Sequence, residues 1–148
     1  MQTISRFMAN DHKRCDELFA SAETSVSNSD WTSAEAALQE FSEGLERHFA
    51  MEETVLFLAF EKAIGSSEGP TNVMRMEHKQ LRAILGMLQE SLAARDAEGF
   101  LGYSETLNTM MQQHNMKEES ILYLMTDRVL SGQHDEIIGA MDGIGSVQ

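Results

Sequence analysis

A histidine followed four residues later by a glutamate occurs twice in this chain, within two long segments of similar sequence. The first pair is His48 and Glu52, and the second is His114 and Glu118. Residues four apart in an α-helix lie one turn apart on the same face, so each pair can present an imidazole and a carboxylate to one metal ion. The spacing therefore favours helices that carry metal ligands on an inner face.

Each pair is preceded by a further histidine at the same separation. His12 stands before His48 just as His78 stands before His114. Matches at one constant offset recur without an insertion between residues 8–58 and residues 74–124. A repeat of this length predicts that the two halves of the chain fold alike and place equivalent residues in equivalent positions.

Apolar residues recur every three or four positions in four long segments, which predicts four amphipathic helices. We expect these helices at about 3–26, 30–63, 70–95 and 96–130. Pro70 suits the first position of the third helix, because its missing N–H group has no partner there in any case. A short additional helix is expected at about 135–141, where glycines weaken the pattern.

Four long helices joined by short turns predict an all-α fold, an antiparallel up-down-up-down four-helix bundle with a short C-terminal extension. We expect a single domain over residues 1–148, built from two pseudo-repeats at about 3–63 and 70–130. At about 1.5 Å per residue, His12 and His48 each lie roughly 20 Å from the end where the first two helices join. Beyond the two glutamates, the inner faces are predicted to continue with Val55, Ala59, Ile121 and Met125.

Six side chains are thereby expected to meet in the middle of the bundle: His12, His48, Glu52, His78, His114 and Glu118. A lone histidine on an apolar face is usually an ordinary core residue, but six ligand-type residues repeated in register favour a metal centre. Two carboxylates buried among apolar side chains need a compensating cation, because an unpaired buried charge strongly destabilises a fold. Imidazole and carboxylate ligands suit iron, although zinc or manganese can occupy such a site.

On these residues the chain resembles the hemerythrin-like HHE cation-binding family, and the resemblance covers residues 3 to about 130. It implies a non-haem centre of two iron ions with an oxo or hydroxo bridge. Oxygen-carrying hemerythrins have a further histidine on the third helix and an aspartate on the fourth, whereas this chain has Met74 and Arg82 beside His78, and Glu118 in place of the aspartate. The set of four histidines and two glutamates is more similar to that of di-iron proteins that repair iron–sulfur clusters under nitrosative stress.

The resemblance implies a protein that binds a small diatomic ligand, O₂ or NO, for sensing, storage or scavenging. A redox enzyme at the same site is the alternative, acting in peroxide or NO reduction, iron oxidation or iron–sulfur cluster repair. A bundle that its metal merely braces is a third interpretation. All three use the same six ligands, so the sequence leaves them open, as it does the oligomeric state.

The net charge and the cysteine content indicate which binding partners and which cellular compartment to expect. A net charge of −13 opposes binding to nucleic-acid phosphates and to anionic membrane surfaces. The single cysteine, Cys15, cannot form an internal disulfide, and the first residues lack the pattern of a secretory signal. We therefore expect a cytoplasmic protein without a nucleic-acid or membrane partner.

Other residues close to the predicted ligands are expected to lie on the surface or in the core rather than to bind metal. Asp11 and Glu77 occupy equivalent positions of the repeat, as do Glu53 and Glu119. We expect these four carboxylates to lie on solvated faces, with orientation of the ligand imidazoles as the alternative. Cys15 is expected to pack in the core. Because the repeat has no gap, the two metal positions are expected to be nearly equivalent.

Overall fold

The computed structural model describes residues 2–145, which form helices and short turns without a β-strand. The helices are, in chain order, α1 (Ile4–Ser27), α2 (Trp31–Met51), α3 (Phe57–Ile64), α4 (Pro70–Ala93), α5 (Ala97–Lys117), α6 (Tyr123–Val129) and α7 (His134–Asp142). Helices α2 and α3 form one continuous segment, as do α5 and α6, so the bundle has four long members. The predicted all-α, up-down-up-down bundle is confirmed. Residues 146–148 of the predicted tail lie outside the described residues.

Each of the two continuous segments contains one turn of π-helix that begins at a predicted ligand. The first π-turn covers Glu52–Leu56 and the second covers Glu118–Leu122. The backbone N–H of Phe57 donates to the carbonyl of Glu52, five residues earlier, and the N–H of Tyr123 donates to Glu118 in the same way. Such a turn holds one residue more than an α-helical turn, and it is most often found at functional sites.

The π-turns change which residues face the core. A continuous α-helix would bury Val55, Ala59, Ile121 and Met125, but Ile121 is 58 % exposed and the other three are only partly buried. The buried residues lie one or two positions later in the chain: Leu56, Phe57, Phe60, Leu122, Tyr123 and Thr126. The predicted faces beyond the two glutamates are therefore wrong by one residue, because helical periodicity assumes that no residue is inserted.

The turns that join α1 to α2 and α4 to α5 have the same backbone geometry. Each contains one non-glycine residue in the left-handed region, Ser29 or Arg95, both at φ 55°. Asp30 and Asp96 follow, and the carboxylate of each accepts a hydrogen bond from the backbone N–H three residues later, which caps the next helix. This correspondence supports the two pseudo-repeats, which we propose as the organisation of a single domain.

Two apolar clusters fill the bundle above and below its middle level. Along α1, Met8 belongs to one cluster and Cys15 to the other, so His12 lies between them. Ile137 and Met141 of α7 belong to the same cluster as Met8, and α7 therefore closes that end of the bundle. None of the helices within residues 2–145 has the length and apolar character that crossing a membrane requires.

Candidate metal centre

The structure brings the six predicted ligand residues together at one level in the interior. All six side chains are buried: His12, His48, Glu52, His78, His114 and Glu118. The ring centres of His12 and His48 are 4.6 Å apart, and those of His78 and His114 are 5.1 Å apart. Helices α1, α2, α4 and α5 each supply one histidine, and each π-turn begins with a glutamate.

The donor atoms form two groups that share a carboxylate. In the His78–His114 group, one donor atom from each of Glu52, His78, His114 and Glu118 lies within 4.8 Å of the others. In the His12–His48 group, donor atoms of these two histidines and of Glu118 meet the same limit. Glu52 lies close to this group as well, because its Oε1 is 3.5 Å from Nε2 of His48. The two glutamates therefore lie between two pairs of histidines.

A second carboxylate holds each histidine through its Nδ1 atom. The four pairs, with their N–O distances, are His12–Glu119 (2.7 Å), His48–Asp11 (2.7 Å), His78–Glu53 (2.6 Å) and His114–Glu77 (2.8 Å). Donation by Nδ1–H leaves the lone pair of Nε2 directed at the centre, as metal binding requires. Each carboxylate crosses to a neighbouring helix and holds an imidazole, which was the alternative interpretation; the expectation of a solvated face applies only to Glu119, whose side chain is 43 % exposed.

Three of these four carboxylates also bind a cationic side chain. The pairs are Asp11–Arg14 (2.9 Å), Glu53–Arg82 (3.1 Å) and Glu77–Lys117 (2.5 Å). Burial by itself would raise the pKa of Glu53, but hydrogen bonds from His78 and Arg82 outweigh burial and lower that pKa to about 2. A similar balance lowers the pKa of Asp11 and of Glu77. These carboxylates are therefore ionised at neutral pH and strong acceptors for Nδ1–H.

Four polar atoms of the His78–His114 group make no hydrogen bond of good geometry with the described residues, although Nε2 of His78 lies 3.1 Å from Oε1 of Glu52 and Nε2 of His114 lies 3.3 Å from Oε1 of Glu118. They are Nε2 of His78, Nε2 of His114, Oε1 of Glu52 and Oε2 of Glu118. Buried polar atoms in folded proteins are nearly always paired, since leaving one unpaired is destabilising. All four are atoms that metal ions accept as ligands, so a cation among them would satisfy the whole group. The residues present therefore fit a metal ion.

In the absence of a cation, protons compensate the buried carboxylates. Burial lowers the pKa of His12 and of His114, but the nearby carboxylate of Glu118 outweighs burial and raises both to about 9. Burial raises the pKa of Glu52, and the nearby charge of Glu118 raises it further. The centre thus attracts positive charge strongly, as a site for metal cations must.

Tyr123 is a residue of the centre that the sequence analysis missed. Its hydroxyl oxygen lies within the His12–His48 group, and its distances are 2.8 Å to Glu52 Oε2, 2.9 Å to Glu118 Oε1, 3.2 Å to His12 Nε2 and 3.4 Å to His48 Nε2. Burial raises its pKa well above the ordinary value, as do the charges of Glu118 and Glu52. The sequence does contain an aromatic residue five positions after Glu52 and five positions after Glu118. A residue at that spacing faces the same side as the glutamate only when a π-turn lies between them.

The two groups of candidate ligand residues differ in their surroundings, which bears on the expectation that two metal positions would be nearly equivalent. Phe57 is the counterpart of Tyr123 in the first half of the repeat. Its ring stacks on His78 at 5.9 Å between centres, just as the ring of Tyr123 stacks on His12 at 5.6 Å. The two rings occupy corresponding places, but only one carries a hydroxyl group. The two groups of ligands therefore differ by one oxygen donor.

Cys15 packs in the core, as expected. Its side chain is 2 % exposed and belongs to an apolar cluster that includes Phe19 and Phe41. Burial raises the pKa of the thiol to about 12, so it remains protonated. The metal-capable groups of the described residues consist of histidines and glutamates alone.

An all-helical bundle with buried, facing histidines and glutamates defines a helical metal-binding protein. Residues 3–126 match the family model described as the hemerythrin HHE cation binding domain. This match covers most of the chain, which therefore belongs to the hemerythrin HHE cation-binding family. No curated protein and no solved structure matches the chain.

Proposed function

We propose that this protein is a non-haem di-iron protein that binds a small diatomic ligand, O₂ or NO, for sensing, storage or scavenging. The residues that would hold the two iron ions are His12, His48, Glu52, His78, His114 and Glu118. The observation that carries the proposal is the set of four buried donor atoms without partners in the His78–His114 group. Atoms of this kind need a cation, and the group offers fewer protein ligands than an octahedral ion accepts.

The donor set favours iron. Imidazole nitrogens and carboxylate oxygens suit iron, whereas structural zinc sites usually include thiolates. The one thiol, that of Cys15, is protonated within the core. Zinc and manganese use the same donors, so metal analysis is part of the test.

When bound, iron supplies a redox-active cation with a position open to O₂ or NO. The residues of the chain keep that position ordered and free of bulk water. Phe49 stacks on His78 at 3.9 Å between ring centres, and Phe57 covers the same imidazole at 5.9 Å. Arg82 and Arg75 lie over these two phenyl rings at 5.0 Å and 5.4 Å and shield them from solvent. His78 is therefore fully buried and held in one orientation.

A small cavity lies beside His114, on the side of its partner Glu77. Its volume is about 60 Å³, and Leu81, Met110, Glu77 and His114 are among the residues that line it. A cavity of this size accepts a molecule no larger than a few water molecules. Its dimensions suit a diatomic gas.

The test is anaerobic purification with metal analysis, followed by optical spectra on addition of O₂, NO or peroxide. We expect about two irons per chain, in keeping with two groups of donors, and a reversible spectral change with O₂ or NO. Glu118→Ala should lower the iron content, whereas Glu105→Ala, an exposed carboxylate on α5, should not.

Three other outcomes contradict the proposal. A colourless, zinc-filled protein that takes up no iron on reconstitution would exclude a di-iron centre. Steady consumption of peroxide or NO would identify a redox enzyme at the same site. An iron-loaded protein that responds to none of the three additions would identify a metal that only braces the bundle.

A further inference from the structure

We infer that the phenol oxygen of Tyr123 is a ligand of the metal held by the His12–His48 group. Together with two histidines, two glutamates and a shared oxo or hydroxo bridge, it would complete six ligands, so O₂ or NO would bind only at the metal held by the His78–His114 group. This inference rests on the proposed function, because it decides which of the two metals keeps an open position. Spacing in the sequence pointed to no ligand beyond four histidines and two glutamates.

The position of the hydroxyl oxygen is that of a ligand. It lies 2.8 Å and 2.9 Å from one oxygen each of Glu52 and Glu118, and 3.2 Å and 3.4 Å from Nε2 of His12 and His48. Adjacent ligands of an octahedral ion with bonds of about 2.1 Å are about 3.0 Å apart. All four distances are close to that separation.

The number of protons in the His12–His48 group also favours coordination. Because Nδ1 of each histidine donates to a carboxylate, Nε2 of His12 and of His48 carries only a lone pair in the neutral imidazole. The hydroxyl of Tyr123 thus faces two such nitrogens and two carboxylate oxygens, and it has a single hydrogen to donate. Once His12 has lost its additional proton, as metal binding requires, the hydroxyl hydrogen cannot satisfy four acceptors, whereas one cation can bind all four atoms and the phenol oxygen together.

The other group lacks this oxygen and keeps unpartnered atoms. Phe57 has no hydroxyl group, and the four donor atoms without partners all belong to residues of the His78–His114 group. Within the His12–His48 group, the hydroxyl of Tyr123 approaches every histidine and glutamate. Among the six ligand residues, His114 alone lines the small cavity, so the cavity lies on the side of the metal that would keep an open position.

Coordination changes no oxidation state. The O–H bond of Tyr123 breaks as the bond from oxygen to the metal forms, and the proton is released to solvent. Metal loading of Tyr123→Phe should therefore release about one proton fewer per chain than loading of the unaltered protein.

The decisive measurement is the optical and resonance Raman spectrum of the oxidised, iron-loaded protein. A ferric ion bound to a phenolate absorbs visible light by charge transfer, and excitation in that band enhances phenolate ring vibrations. We expect these vibrations in the unaltered protein and in Tyr103→Phe, which removes the other tyrosine of the chain. They should be lost in Tyr123→Phe. Their absence from the unaltered protein overturns the inference, whether or not any variant folds.

The second measurement counts NO molecules bound by the reduced protein. We expect about one NO per chain in the unaltered protein and about two in Tyr123→Phe, where both metals have an open position. Phe57→Tyr places a second phenol beside His78 and should reduce NO binding. Binding of two NO molecules by the unaltered protein would overturn the assignment of the open position.

Failure of the inference and failure of the proposed function give different results. A protein that holds iron and binds NO reversibly, but shows no phenolate vibrations, refutes only the role of Tyr123. A protein that takes up no iron refutes the proposed function itself. Mössbauer spectra of the diferric protein add an independent check, since unequal irons give two quadrupole doublets of equal area.

Discussion

Glu118 and Glu119 are neighbours in the sequence, yet they contact opposite nitrogen atoms of the same imidazole. Oε1 of Glu118 lies 3.0 Å from Nε2 of His12, and Oε2 of Glu119 lies 2.7 Å from its Nδ1. Glu52 and Glu53 contact His78 in the same manner, at 3.1 Å and 2.6 Å. Consecutive residues point about 100° apart around a helix, so they can reach both edges of a ring that projects from a neighbouring helix.

The first prediction concerns Glu119, the only one of the four orienting carboxylates for which the described residues provide no cationic partner. Glu119→Ala should weaken metal binding about 10- to 100-fold, because the ring of His12 loses the partner that fixes its orientation and its tautomer. Competition titration against a chelator measures this change. Glu105→Ala is the matched control on the exposed face of α5, and equal affinities of the two variants would show that Glu119 does not orient His12.

Removal of the metal should destabilise the bundle. The four unpartnered donor atoms of the His78–His114 group lose the cation that satisfies them, and free energy of metal binding contributes directly to folding. At a free metal concentration 100 times Kd, the stabilisation is about 2.7 kcal/mol, which corresponds to roughly 5–10 °C in Tm for a domain of this size. Thermal melts with and without metal at neutral pH test this, and identical curves would argue against buried ligation.

Metal affinity should rise with pH between about 7 and 9. The pKa values of His12 and His114 are raised to about 9 in the metal-free protein, so both imidazoles are protonated at pH 7 and must lose a proton to bind metal. Calorimetric titrations in buffers of different ionisation enthalpy measure the protons released. Metal uptake at pH 7 without proton release would contradict this prediction.

Stability of the metal-free protein should change in the opposite direction over the same range. A pKa that is higher in the folded than in the unfolded state stabilises the fold fully below the unfolded value, near 6.5, and the effect is lost as pH rises through about 9. Urea denaturation of the metal-free protein should therefore show lower stability at pH 9 than at pH 6.5. A flat profile, or a rise toward pH 9, would show that these histidines are not protonated in the fold.

Deletion of a residue from a π-turn should be tolerated better than deletion from an α-helix. Removing Ser120, which is exposed in the second π-turn, converts that turn to an α-helical one and leaves Tyr123 on the same face as Glu118. Removing Thr109, exposed on α5, rotates His114 and Glu118 away from the residues that precede the deletion by about 100°. We expect the Ser120 deletion to fold and to bind metal and the Thr109 deletion to do neither. Circular dichroism and metal analysis of both proteins provide the comparison.

The sequence by itself determined the bundle and the place where its polar residues meet. Helix boundaries lie within about two residues of the predicted ones, because capping residues such as Asp30 and Asp96 and the apolar period are local features. The six predicted ligand residues are separated by as many as 106 positions, yet they were expected at one level of the bundle. A repeat with fixed spacing on antiparallel helices fixes how far along its helix each residue lies.

Only the tertiary structure decided what surrounds those six residues. The π-turns insert one residue where each glutamate enters the centre, and this shift cannot be recognised from a period that assumes regular helices. Tyr123 became part of the centre through that shift, while Ile121 moved to the surface. The bonds from Asp11, Glu53, Glu77 and Glu119 to the histidines each join different helices, so they depend on how far apart and in which rotation the helices pack. Helix separation and rotation are properties of the assembled bundle. A shift of one helical turn or one residue decides whether a carboxylate faces solvent or contacts a candidate metal ligand.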